Sequence, residues 1–285
     1  MFTKKKKSTG AITAEVFSVL FIIVIIIFTL YPVVYTIFGS FKSNAELTLG
    51  ESFFPSEWHF ENYYRAFVEA DFLKYTINSV TISIASMILA VATTATAGYV
   101  FARMEFFGKK FWLTLYTGMM FISLGSVTLY PLYSLLQSVG LNKSKIGMVI
   151  IMTGAQISNV ILVMGFVKTI PKELEEAASI DGCSPFGIFF KIIFPLLRPI
   201  LAVVALFSFR NSWNDYLTPL MMSIGNPELK TLTVAVAQLK YSVNAAAEWN
   251  IMLAGAAIAI IPVLVLYLFM NKQFIAGLTA GAVKG

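Results

Sequence analysis

The chain has 285 residues, of which 58% are hydrophobic and only 13% are charged, and its mean hydropathy is +0.78. Soluble domains carry about 25% charged residues, so this composition excludes an ordinary water-soluble protein and indicates a membrane protein. The net charge of +6 does not indicate nucleic-acid binding, because the densest basic cluster, residues 4–7, directly precedes an apolar stretch. With one cysteine, Cys183, and one histidine, His59, we expect no disulfide and no metal site.

Six stretches are long enough to cross a bilayer, whose core of about 30 Å needs roughly 20 apolar residues in a helix. Five contain no Asp, Glu, Lys or Arg, whereas the fifth in chain order carries Arg198, Arg210 and Asp215. The predicted fold is an all-α membrane protein with six transmembrane helices in one domain, residues 1–285. The predicted spans are residues 16–38, 77–102, 111–136, 146–167, 196–217 and 251–270.

The distribution of basic residues predicts the orientation of these spans. The two termini and the loops on their side hold 13 Lys and Arg, against 7 in the loops on the opposite side. By the positive-inside rule, both termini are predicted to be cytoplasmic. The first span is 23 residues long and lacks a small-residue cleavage site, so we interpret it as a retained helix and not as a secretory signal.

The second predicted span carries a small side chain at every fourth position, namely Ser86, Ala90, Thr94 and Gly98. Residues at this spacing share one face of a helix, and small side chains allow close approach of a second helix. Small residues are also common in membrane helices generally. Four of them in register favour a helix contact on this face.

The predicted cytoplasmic loop 168–198 has a helical pattern of its own. Acidic residues between 173 and 176 suit the positive end of a helix, and Gly182 is a typical stop. Ser184 followed by Pro185 is a cap and first-turn signal for a second helix. The sequence therefore predicts two short helices joined at a glycine.

Residues 176–182 read Glu-Ala-Ala-Ser-Ile-Asp-Gly, and after nine residues 192–195 read Ile-Ile-Phe-Pro. This spacing resembles the EAA loop of the membrane subunits of bacterial ABC importers, with Phe194 in place of the usual leucine. Residues 213–220 and 277–285 are similar to the carbohydrate-uptake branch, specifically the smaller permease partner of maltose-type systems. The resemblance covers essentially the whole chain.

The resemblance implies a type I ABC importer permease fold and a multi-pass protein of the bacterial cytoplasmic membrane. It further implies import of sugars or oligosaccharides by a complex with a second permease subunit, two ATPase subunits and an extracytoplasmic solute-binding protein, without nucleic acid. In that family the first helix of the EAA loop contacts the ATPase. The residues expected to couple to the ATPase are Glu173, Glu176, Ala177, Ala178, Asp181 and Gly182.

The chain is not expected to be an enzyme. It lacks the G-x-x-x-x-G-K-[ST] phosphate loop, since Gly108-Lys109-Lys110 has neither the upstream glycine nor the following hydroxyl. We therefore expect no catalytic residue and no cofactor in this chain, with ATP and Mg²⁺ bound by the partner ATPase.

Charged and amide side chains in the fifth span are candidates for the solute pathway. Charges there cost on the order of 2.5 to 3.5 kcal/mol each, so they should contact protein or water. The candidates are Arg210, Asn214 and Asp215, and Gln156 and Asn159 in the fourth span are considered with them. The alternative is a structural role, either against the partner permease or at the outer interface.

Three other functions stay open at this stage. A stand-alone secondary transporter or channel would need ion-coupling residues and often inverted repeats, neither of which is evident. An ABC permease for a non-sugar solute fits the same loop. In a membrane scaffold or sensor without an ATPase partner, a coupling loop would be superfluous.

Overall fold

The computed structural model describes residues 9–50, 52–68, 71–122, 125–154, 156–239 and 247–282, with side chains described between 15 and 269. This part of the chain is mostly helical and contains no β-strand. It divides into two compact units, residues 1–70 with 238–258 and residues 71–237 with 259–285.

In the first unit the helices are joined through buried amide side chains. Asn62 donates hydrogen bonds of 2.9 Å to the carbonyl oxygens of Ser40 and Lys42, and Asn250 Nδ2 donates to Asn62 Oδ1 at 2.7 Å. These bonds satisfy backbone groups where the chain leaves its first helix. The helices of this unit are α1 (Thr9–Gly39), α2 (Asn44–Leu49), α3 (Glu61–Val68) and the first part of α15 (Trp249–Ala282).

The second unit contains the remaining helices, together with three 3₁₀ turns and one π-helical turn at Phe189–Ile193. The helices are α4 (Phe72–Arg103), α5 (Lys109–Gly118), α6 (Leu129–Ser138), α7 (Lys145–Gly154), α8 (Ile157–Val167), α9 (Glu173–Ile180), α10 (Pro185–Ile188), α11 (Phe194–Leu196), α12 (Arg198–Asn214), α13 (Leu217–Gly225), α14 (Leu232–Gln238) and the second part of α15.

The core of the second unit is built on α4, which packs against α7, α8 and α12. The small face predicted from the sequence is buried along its length, from Ser86 to Gly98. A Cβ atom on Gly98 would lie 2.7 Å from Cγ1 of Val163 on α8, so only glycine fits at this crossing. The predicted helix contact is therefore confirmed.

Three helices in the described residues are long and apolar enough to cross a membrane, namely 15–39, 72–103 and 249–269. Two bent pairs, α7 with α8 and α10–α11 with α12, bend by 59° and 77°, and counting each as one span gives five. The predicted third span, 111–136, falls on α5, two 3₁₀ turns and α6. The structure thus supports a multi-span helical protein, while the count of six remains a prediction.

Candidate functional site

The predicted inner loop folds as two short helices joined by a glycine turn. α9 ends at Ile180, and Gly182 has φ of +80°, a left-handed conformation that favours glycine. Ser184 caps α10, because its Oγ accepts a hydrogen bond of 3.2 Å from the amide of Gly187, and Pro185 lies in the first turn. The predicted helix end and helix start are both confirmed.

The first turn of α9 is bonded to the C-terminal end of α4. Arg103 Nε lies 2.6 Å from Glu175 Oε1, and its Nη2 donates to the carbonyl oxygen of Ile170 at 2.5 Å. The other carboxylate oxygen accepts a hydrogen bond of 2.9 Å from the hydroxyl of Tyr99. Both charged side chains are largely buried, and a buried charge without a partner is destabilising, so the pair stabilises both groups. This cluster, the α4–α9 clasp, fixes the position of α9.

The face of α9 that carries Ala178 packs into the apolar core of the second unit. Ala178 is buried and belongs to one apolar cluster with Ile188 and Ile193 of the following turns. The ring of Phe189 lies 5.1 Å, centroid to centroid, from that of Tyr99 on α4. Burial of these side chains joins both halves of the loop to α4, α8 and α12, so the loop and the bundle form one packed body.

The opposite face of α9 is exposed and mixes acidic and apolar groups. Glu173, Glu176, Ala177 and Asp181 are exposed there, and the side chain of Ile180 is 87% exposed. Glu173, Glu176 and Ile180 recur at helical spacing, so they form one exposed face of α9. Of the residues predicted to couple to an ATPase, Ala178 differs, because the helical repeat turns it toward the core.

The predicted pathway residues lie at and beyond the end of α12. Arg210 and Asn214, four residues apart, are both exposed on one face of the helix. Asp215 is half-buried, and its Oδ1 accepts a hydrogen bond of 3.3 Å from the amide of Thr218. Two of the three candidates thus share a surface, whereas Asp215 stabilises the turn into α13.

A small polar cluster lies between the start of α8 and α12. The side-chain amide of Asn159 donates to Gln156 Oε1 and lies 3.4 Å from Ser208 Oγ, with Asn159 and Ser208 both buried. These groups satisfy one another, so the cluster bonds α8 to α12. In the part of the chain that the structure describes, no group of three His, Cys, Asp or Glu could hold a metal ion.

Comparison with known proteins decides the family. Residues 10–278 match the family described as "Binding-protein-dependent transport system inner membrane component". The chain belongs to this family. The predicted resemblance to ABC importer permeases is therefore confirmed, and the exposed face of α9 lies in the loop that carried it.

Several permease proteins of bacterial transport systems are similar to this permease component over most of its length. It is 33% identical to the arabinooligosaccharides transport system permease protein AraQ of Halalkalibacterium halodurans, over 98% of this chain and 100% of that protein. It is 31% identical to the maltodextrin transport system permease protein MdxG of Bacillus subtilis, over 98% of this chain and 99% of that one. The melibiose/raffinose/stachyose import permease protein MelC of the same species is 36% identical, over 81% of this chain and 83% of that protein.

A solved structure shares the fold of this permease component. One chain of the crystal structure of a bacterial ABC transporter involved in the import of the acidic polysaccharide alginate superposes with a TM-score of 0.80. The match covers 95% of this chain and 100% of that chain, at 21% sequence identity. This likeness supports the predicted permease fold.

Sequence reasoning missed the α4–α9 clasp in this permease component. The sequence pattern places Glu175 among the acidic residues of the first turn of α9 but not among the predicted coupling residues, and it assigns no role to Arg103. Glu175 and Ala178 are three residues apart, so their shared helical face could have indicated that both turn inward. The partner of Glu175, 72 residues earlier in the chain, has no local signal.

Proposed function

We propose that this chain is the membrane-spanning permease subunit of an ATP-driven importer of sugars or oligosaccharides. It crosses the bacterial cytoplasmic membrane six times, with both termini cytoplasmic, and pairs with a second permease to enclose the solute pathway. Two ATPase subunits bind ATP and Mg²⁺, and an extracytoplasmic binding protein delivers the solute. Relatives named for arabinooligosaccharides, maltodextrin and melibiose or raffinose support the substrate class.

The observation that carries the coupling role is the two-sided environment of α9. One side is held by the clasp and by Ala178 in the core, so the helix cannot move without α4. The other side offers Glu173, Glu176 and Ile180 to a partner. A groove of the ATPase that binds this exposed side would therefore transmit its movement to the bundle.

Co-purification of the whole complex tests this assignment. The variant Glu176→Lys should lose the ATPase subunits while remaining in the membrane, because the reversed charge lies on the proposed contact face. The matched control is Glu57→Lys, an exposed glutamate in the first outer loop, which should retain them. Equal recovery of the ATPase from both variants would remove the coupling role of α9.

Accessible cysteines test the proposed orientation. In a Cys183→Ser background, Phe107→Cys should react with a membrane-impermeant maleimide only in inside-out vesicles, because the side chain of Phe107, in the loop after α4, is fully exposed. Phe54→Cys, in the first outer loop, should react only in right-side-out vesicles. Labelling of both residues from one side would overturn the six-span topology.

A further inference from the structure

One helix, α4, runs without a break through the second unit. Its 32 residues correspond to about 48 Å at 1.5 Å per residue, more than the thickness of the hydrocarbon core. Among the described residues it is the one unbroken candidate span that lies wholly within this unit, since the two bent pairs change direction. It contains no proline, and its buried face is packed from Phe72 to Tyr99. Movement at one end of α4 is therefore carried to the other.

The end of α4 opposite the clasp is bonded to the outer loop, which we define as residues 226–232 between α13 and α14. Asn78 Nδ2 donates to the backbone carbonyl oxygens of Glu228 and Lys230, at 2.7 and 2.9 Å. Ser79 Oγ accepts a hydrogen bond of 2.9 Å from the amide of Leu232. All three bonds are made to backbone atoms of the loop, so they position it independently of its side chains.

The two side chains that hold the outer loop are buried, with 5% of Asn78 and 2% of Ser79 exposed. Hydrogen bonds in such a place are shielded from competing water, and leaving either partner unpaired there is costly. An exposed ion pair adds to them, because Lys74 Nζ lies 2.7 Å from Glu228 Oε2. The outer loop is thus fixed to the N-terminal part of α4, just as α9 is fixed to its C-terminal end.

We propose that Asn78 and Ser79 are positioning residues that link the outer loop to α9 through α4. Docking of the solute-binding protein on the outer loop then shifts α4 along or about its axis, and the α4–α9 clasp passes the shift to the ATPase. This inference rests on the proposed function. It adds the route by which an event outside the membrane changes ATP hydrolysis inside it.

A purely structural role for these bonds predicts a different outcome. If Asn78 only stabilises the fold, its loss lowers the melting temperature of the complex but leaves the stimulation of the ATPase by binding protein unchanged. If it belongs to the route, basal hydrolysis persists while stimulation is lost. The ratio of stimulated to basal ATPase activity separates the two roles.

The experiment uses the whole complex in lipid nanodiscs with its solute-loaded binding protein. Asn78→Ala should lower the stimulated-to-basal ratio about fivefold or more, the usual size of coupling between sites, with basal activity within about twofold of the unaltered complex. Thr81→Ala is the matched control, because Thr81 is exposed on the same helix and bonds only to Ile77 of its own helix. An unchanged ratio in Asn78→Ala would overturn the inference.

A charge exchange provides a second test should Asn78→Ala fail to assemble. Lys74→Glu and Glu228→Lys each place like charges together and should lower the ratio, and the double variant should restore it. If Glu228 instead contacts the binding protein directly, the stimulated-to-basal ratio of the double variant stays low. That result would overturn the proposed route through α4. Absence of ATPase subunits or of any stimulation in the unaltered complex would count against the proposed function instead.

Discussion

The guanidinium of Arg103 and the carboxylate of Glu175 lie 2.6 Å apart, although 72 residues separate them in the chain. One is the last residue of α4, and the other lies in the first turn of α9. Their pairing joins a membrane-spanning helix to the helix that carries the motif of the family. If α9 binds the ATPase as proposed, its movement would act on α4 through this pair.

Removal of one partner of this pair should be costly. Arg103→Gln leaves the Glu175 carboxylate largely buried without its cation, which costs about 3 kcal/mol. We expect a lower melting temperature and weaker retention of the ATPase, measured by scanning fluorimetry and co-purification. The double variant with Glu175→Gln should recover part of the loss, since no unpaired charge remains. Lys109→Gln, which breaks an ion pair with the exposed Glu105 within four residues, should have a much smaller effect.

The contact between α4 and α8 should not tolerate one added methyl group. Gly98→Ala places its Cβ 2.7 Å from Val163 and 3.1 Å from the amide nitrogen of Met164, so the helices must separate. Overpacking of this kind costs about 1–3 kcal/mol. Gly165→Ala on α8 is the control, because its Cβ would meet nothing within 4 Å. Equal melting temperatures for the two variants would contradict the proposed close crossing.

The turn between α9 and α10 should depend on backbone conformation and not on side-chain volume. A Cβ on Gly182 would meet nothing within 4 Å, yet its φ is +80°. Gly182→Val should impair uptake of the solute, because a β-branched residue in this region costs about 1–3 kcal/mol. Gly182→Asn should be tolerated, since asparagine adopts this conformation more readily. Solute uptake by reconstituted vesicles is measured for both variants. Equal impairment of uptake in the two would indicate that side-chain volume, and not backbone conformation, is the cause.

The exposed side chain of Arg210 tests the proposed solute pathway. Arg210→Ala should lower the rate of uptake about tenfold without detaching the ATPase subunits or the companion permease, and Arg210→Lys should retain part of the rate. Transport kinetics in vesicles, compared with the subunit composition of the purified complex, provide the measurement. Loss of the companion permease from the alanine variant would instead place Arg210 in a subunit interface.

Acid should loosen α2 and the turn that follows it, around Glu46. Burial raises the pKa of this carboxyl, but hydrogen bonds from Ser52 and Ser56 and the ammonium of Lys42 outweigh it and hold the pKa below 4.5. Because the folded-state pKa is lowered, the stabilisation is present above about pH 4.5 and is lost as the pH falls through the lowered value. Hydrogen exchange of residues 44–50, corrected for intrinsic rates, should accelerate in acid. Glu46→Gln should remove this pH dependence.

The sequence by itself determined the features that depend on neighbours along the chain. Apolar length indicated the three unbroken candidate spans, and the signals at Gly182 and Ser184 gave the helix boundaries in loop 168–198. The four-residue spacing that ends at Gly98 identified the contact face of α4. These features follow from backbone conformation and helical periodicity, which are local properties.

Only the tertiary structure decided which distant groups meet. It paired Arg103 with Glu175 and Asn78 with the outer loop, and it turned Ala178 inward while leaving Glu176 exposed. It also broke the predicted span 146–167 into α7 and α8, which meet at an angle of 59°. Such outcomes depend on how helices far apart in the chain pack together, because a buried charge or amide takes whichever partner the packing brings within reach.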